Sequence, residues 1–293
     1  MKVTTLAFVF VLTSTALAVD QQGSIAPETV VVPSGNLRLK AFLWKPAGPG
    51  RFPAVLFCHG SGGADADHTA GLPITKAAEK LAPLFLKHGY AFLYLFRRGQ
   101  GLSADQGTFI QDLLQREEKA KGKEARQHLQ FVLVTTDHLD DVMAGLKFLK
   151  TAPGIDPKRL AIVGHSFGGQ LTFLAAERDN TIRAAVTVSA AAGSWERSPE
   201  LRQRLLTAMG RSTAPIMLIQ AANDYSTAPS YALADELERL HKPHLLKIYP
   251  PVGQTSEEGH NILYLAMSLW EDDVFKFLDE HVKRDQGEFM PDA

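Results

Sequence analysis

A strand-like run at residues 159–163, apolar from Leu160 on, gives way at Gly164-His165-Ser166-Phe167-Gly168-Gly169 to helical spacing over 167–177. A strand that becomes a helix within so short a turn leaves no space for side chains where the two approach, so glycines flank the turn. The turn lifts the central side chain, Ser166, above the edge of the sheet that holds the strand. The free N–H groups and the positive dipole end of the new helix point at the same place. G-x-S-x-G alone is a short pattern, and the strand before it and the helix after it give it meaning. It predicts an α/β layout with a reactive serine at the carboxyl edge of a parallel sheet.

The rest of the chain keeps the same rhythm. Strand-length runs rich in apolar residues fall at 54–58, 91–96, 184–189, 215–220 and 245–249, and 54–58 is apolar without a break. Continuous rather than alternating runs suit strands covered on both faces. Helical spacing occupies 77–86, 137–150, 199–209, 231–240 and 269–281. Strands separated by helices imply right-handed βαβ units, a mainly parallel central sheet and helices on both faces. At the start, 29–32 and 37–44 flank Pro33-Ser34-Gly35-Asn36, turn chemistry that predicts an N-terminal antiparallel hairpin. Residues 104–136 exceed a minimal unit. Their stretch 115–130 mixes Lys, Arg and Glu with a few apolar residues, which predicts a helical insertion, either a lid or a solvated surface helix.

Lys2, the apolar run 6–12 and Ala16-Leu17-Ala18 have the layout of a signal peptide cut after Ala18. The apolar stretch is short for a bilayer span. The expectation is export, to a periplasm or the medium, of one α/β domain over 19–293, with no stable membrane insertion after cleavage. The chain of 293 residues has a formal net charge of -1, so no basic footprint for nucleic acid exists. Cys58 is the single cysteine and ends an apolar run, which predicts a buried small hydrophobe and excludes an intrachain disulfide. No H-E-x-x-H or C-x-x-C spacing occurs, and no metal or cofactor is expected.

In open parallel sheets ligands bind beyond the carboxyl ends of the strands. A serine hydroxyl needs a base to act near neutral pH, and the base needs an acid to orient it, in chain order serine, acid, histidine. Asp224 is the first carboxylate beyond the run 215–220; Glu196, beyond 184–189, is its rival. His260 lies in a polar loop after the last strand. His241 and His244 fall at the opposite end of the sheet, and His281 lies far along the last helix. The expected constellation is Ser166, Asp224 and His260. Donors for a tetrahedral oxyanion would be the N–H of Phe167 and, from His59-Gly60-Ser61-Gly62-Gly63, the N–H of Ser61, with Gly60 as fallback. Arg97 and Arg98 follow 91–96 at the same edge, and the expected use is bracing of loop carbonyls rather than capture of a substrate carboxylate.

The 53–63 segment, Arg98-Gly99-Gln100-Gly101-Leu102-Ser103, the Ser166 elbow, the Asp224 turn and Gly259-His260 together resemble the α/β-hydrolase superfamily across nearly all of the chain beyond the leader. Within it the chain is similar to the dienelactone-hydrolase-like and prolyl-oligopeptidase-like branches. Dienelactone hydrolases proper carry cysteine where this chain has Ser166. The resemblance implies a serine hydrolase acting on a small-molecule ester or a short peptide. Peptide or amide cleavage by the same machinery, and a non-catalytic binding protein on the same fold, are the competing readings.

Overall fold

The computed structural model describes residues 26–62 and 66–284; the expected leader at 1–18 lies outside them. Eight strands form the central sheet: β1 Glu28–Ser34, β2 Leu37–Trp44, β3 Phe52–Cys58, β4 Ala91–Leu95, β5 Ile155–His165, β6 Ile182–Val188, β7 Ile216–Ala221 and β8 His244–Tyr249. Their order across the sheet is β1-β2-β4-β3-β5-β6-β7-β8. The strands from β3 onward pair in parallel, while β2 pairs antiparallel with both β1 and β4. The expected hairpin is β1 and β2, with Gly35 at φ 55° closing its turn. A two-residue ladder joins His68–Thr69 to Leu72–Pro73 outside this sheet.

Among the described residues there are ten α-helices: α1 Ile74–Lys87, α2 Ile110–Lys121, α3 Lys123–Thr135, α4 Asp137–Thr151, α5 Phe167–Arg178, α6 Pro199–Arg211, α7 Ala228–Arg239, α8 Ser256–His260, α9 Ile262–Leu265 and α10 Met267–Leu278. Side chains alternate across a strand, so each central strand feeds two cores. Leu160 and Ile162 of β5 join Leu139, Val142, Leu146 and Leu149 of α4 on one face. Ala161 and Val163 join Leu81 and Phe85 of α1, with Trp270 and Val274 of α10, on the other. Burial on both faces explains why these strands read as largely apolar runs.

The chain leaves β3 toward β4 on one side and returns to β5 on the other. The carboxyl ends of β3 and β5 therefore flank the switch point where such sheets open a crevice. Arg98, just beyond β4, anchors the surroundings. Its Nε and Nη2 donate to the buried Asp141 carboxylate at 2.9 and 2.8 Å, and its Nη1 meets Asp137 at 3.1 Å. Ser34 Oγ donates to the same Asp141, so hairpin, β4 exit and α4 share one carboxylate.

The insertion departs from the single helical stretch expected over 115–130. It is two helices, α2 and α3, divided at Gly122, where φ is 92°. The two helices carry few apolar residues because only Ile110, Leu114, Leu133 and Val134 are buried in them. Packing of α3 against α4, α5 and α6 fixes the pair to the body.

Candidate active site

Ser166 sits between β5 and α5 with φ 55° and ψ -117°, a conformation that a non-glycine residue holds only when its surroundings impose it. Its N–H donates to Val188 O at 2.8 Å, which ties the turn to β6. A Cβ at Gly164 would run into Gly168 and Thr172, and one at Gly168 would overlap the Cys58 carbonyl. The glycines thus let α5 rest directly on the end of β3, next to the loop that begins at His59. Burial pushes the Cys58 thiol up to about 12, so it stays protonated and unreactive near neutral pH.

His260 Nε2 lies 2.8 Å from Ser166 Oγ, and its Nδ1 lies 2.8 Å from Asp224 Oδ1. With Nδ1–H donating to the carboxylate, Nε2 is free to accept the serine proton. The Asp224 side chain has no exposure, and that of His260 has 13%. The carboxylate accepts two further bonds: Oδ1 from Tyr225 N at 2.6 Å and Oδ2 from Gln220 Nε2 at 2.9 Å. Gln220 Nε2 donates to Ser226 O at 2.9 Å as well, which locks the amide. The rival acid Glu196 is 68% exposed and points to Arg202 at 3.9 Å.

His260 differs from expectation in its setting. It ends a one-turn helix, α8, rather than lying in a loop. Thr255 and Glu258 cap that helix reciprocally, Thr255 Oγ1 accepting from Glu258 N while Glu258 Oε2 accepts from Thr255 N. The T-x-x-E pattern at 255–258 was the sequence signal for it. Asn223 pins the same segment: Nδ2 donates to Val252 O and Thr255 O, and Oδ1 accepts from Val252 N, each at 2.9 Å. From below, His165 Nε2 donates to His260 O at 2.8 Å. Sequence reasoning passed over Asn223, Gln220 and His165 because short polar residues at strand exits carry no periodic signal.

The loop after β3 faces Ser166. A Cβ at Gly60 would lie 3.6 Å from Ser166 Cβ. Gly60 O accepts from His59 Nδ1 at 2.8 Å and from Arg97 Nη2 at 2.8 Å; His59 O accepts from Arg97 Nη1 at 2.7 Å. In a trans peptide the next N–H runs opposite to the carbonyl, so these bonds turn the Ser61 N–H away from Arg97. Among the described residues no backbone carbonyl takes the N–H of Ser61 or of Phe167. Phe109, just before α2, sets its ring against Gly62 of the same loop.

His59, His138 and His165 are buried here, and burial holds each below its ordinary value of 6.5, His165 at about 3. Unfolded, each takes a proton below about pH 6.5. The unfolded state then binds more protons than the folded one, so stability falls as pH drops below that value. Each histidine contributes up to about 1.4 kcal/mol per pH unit. The urea midpoint is expected to be flat above pH 7 and to decline steadily between 6.5 and 5. A midpoint that stays level to pH 5 would contradict neutral burial of these rings.

A mainly parallel sheet carrying a serine elbow at its switch point, with the first strand pair antiparallel, is the α/β-hydrolase fold. The profile of the dienelactone hydrolase family matches residues 39–256, and the chain belongs to that family of hydrolases. Among curated proteins it is similar to the quorum-quenching protein AidA of Acinetobacter baumannii (strain MDR-ZJ06), with 26% identity over 162 residues. That is 55% of this chain and 43% of AidA, so the chain spans less than half of that relative. Among solved structures it resembles Est1E of Butyrivibrio proteoclasticus with ferulic acid bound, at TM-score 0.63 and 18% identity over 87% of this chain and 100% of Est1E. A dienelactone hydrolase from Anabaena variabilis ATCC 29413 gives TM-score 0.59 and 19% identity over 88% of this chain and 99% of that one. Pyrococcus horikoshii acylaminoacyl peptidase gives 0.61 and 20% over 90% of this chain but 43% of the peptidase. At such identities these structural likenesses establish the fold.

Proposed function

We propose that the chain is a serine hydrolase that cleaves carboxylic esters through an acyl-enzyme. The observation that carries this reading is the unbroken line from Ser166 Oγ through His260 to the buried Asp224, with both contacts at 2.8 Å. Ser166 Oγ attacks the ester carbonyl carbon while its proton passes to His260 Nε2. The negative charge on the carbonyl oxygen meets the N–H groups of Phe167 and Ser61. One such donor is worth about 3 to 4 kcal/mol of barrier. Asp224 stabilises the imidazolium without taking its proton. Collapse breaks the bond to the alcohol oxygen, and His260 hands the proton to that alcohol as it leaves. Water then attacks the acyl-enzyme by the same route, which frees the carboxylic acid and Ser166.

Est1E, which the chain matches along its whole length and which was solved with ferulic acid, supports an ester with a small acid part. The likeness to acylaminoacyl peptidase supports amide cleavage as the second reading. The test is turnover of p-nitrophenyl esters of increasing acyl length beside matched p-nitroanilides. Saturable ester turnover, with anilides slower by ~10² or more, is expected because the anilide has the poorer leaving group. Comparable or faster anilide turnover would favour the peptidase, and no turnover of either would favour a binding protein.

A further inference from the structure

Arg97 stands at the exit of β4 with 1% exposure, yet among the described residues it makes no ion pair. The two acids nearby, Asp137 and Asp141, are taken by Arg98. Arg97 Nη1 donates to His59 O and Nη2 to Gly60 O and, at 3.4 Å, to the neutral Gln100 Oε1; Nε is buried without a partner, and the guanidinium lies 5.5 Å from the Phe167 ring centre. A buried cation that lacks a counter-charge is costly to keep. Burial accordingly holds its pKa at about 10, below the ordinary 12.5. If bracing two carbonyls were the whole task, a neutral donor could do it without that cost.

We propose that Arg97 is a positioning residue whose charge, passed through the Gly60–Ser61 peptide, strengthens the Ser61 N–H toward the oxyanion. The inference rests on the serine-hydrolase reading. Gly60 O accepts from both Arg97 and His59, which fills its two lone pairs. Donation by a cation into a carbonyl draws density from the amide nitrogen and makes its N–H a stronger donor. The same bonds fix the direction of that N–H. A neutral ester carbonyl gains little from the extra polarity, whereas the tetrahedral oxyanion gains much, so the effect falls on the transition state. The missing counter-charge is then supplied only while the oxyanion exists.

The test compares wild type, Arg97→Gln, Arg97→Lys and Ser166→Ala with p-nitrophenyl acetate and with an alkylboronic acid. On binding the boronic acid, Ser166 Oγ bonds to boron, its proton passes to His260 Nε2, and boron carries the negative charge. Arg97→Gln keeps a donor for the carbonyls and loses the charge. It is expected to lower kcat by roughly 10- to 100-fold with KM nearly unchanged, and to weaken the boronate by the same factor. Arg97→Lys is expected to recover at least about tenfold of that loss. Equal behaviour of the two variants, or a loss confined to KM and melting temperature, overturns the proposal in favour of a plain brace. If Arg97→Gln does not fold, Arg97→Lys decides: boronate affinity within about tenfold of wild type supports the proposal, and a larger loss overturns it. Ester turnover that survives in Ser166→Ala would instead sink the serine-hydrolase reading itself.

Discussion

Asp224→Asn is expected to lower kcat for ester hydrolysis by ~10³ to 10⁴ while the protein stays folded. The carboxylate accepts three hydrogen bonds, from His260 Nδ1, Tyr225 N and Gln220 Nε2. An asparagine offers one oxygen and one NH2 group in the same space. If its oxygen keeps His260 and Tyr225, the NH2 faces Gln220 Nε2, donor against donor. Gln220 cannot simply turn over, because the same Nε2 holds Ser226 O. If the NH2 faces His260 instead, the imidazole is driven to the tautomer that carries its proton on Nε2, where it cannot accept from Ser166. Either arrangement also removes the charge that stabilises the imidazolium. The stability cost is that of one unsatisfied buried group, about 1 to 3 kcal/mol. Steady-state kinetics together with thermal melting check this; a kcat within tenfold of wild type would remove Asp224 from its assigned role.

The largest expected effect on stability comes from Gly168→Ala. The added methyl would overlap the carbonyl of Cys58 and crowd that of His59, both backbone atoms at the end of β3. Neither can swing aside as a side chain would, so α5 must lift from the sheet. Overpacking of this kind costs about 3 kcal/mol or more. In a chain of this size that corresponds to a melting temperature lower by ~6 to 12 °C. Activity is expected to go with it, since the same shift moves Ser166 relative to Gly60 and Ser61. A variant that melts and turns over like wild type would show that α5 and β3 do not meet as closely as described.

How much of this could be read from sequence follows from what kind of force acts where. The sheet was legible because strands buried on both faces must be largely apolar, as 54–58 is throughout and 215–220 is up to Gln220. The elbow was legible because its pattern, Gly164 to Gly169 between a strand and a helix, lies within six residues, although the backbone that Gly168 clears belongs to Cys58 and His59. Asp224 and His260 were reachable through chain order and the rule that places sites at strand exits, and the structure brings both to Ser166. The division of the insertion at Gly122 was hidden, since solvated helices of mixed charge run together in sequence. Arg97 braces loop carbonyls, His59 O and Gly60 O, as its place after 91–96 suggested, but Asn223 was harder still. It acts by hydrogen bonds to backbone atoms 29 and 32 residues away, and a carbonyl leaves no mark on the sequence of its partner.

The account turns on an activated Ser166. The most direct measurement is labelling of the full chain with a fluorophosphonate, followed by peptide mapping, in wild type and Ser166→Ala. Attack by Ser166 Oγ on phosphorus expels fluoride, and the proton goes to His260, leaving a stable phosphonyl ester. One adduct per chain, on the peptide that contains Ser166 and absent from Ser166→Ala, is the expected result. A wild-type chain that stays unlabelled, or one labelled on another residue, would contradict it.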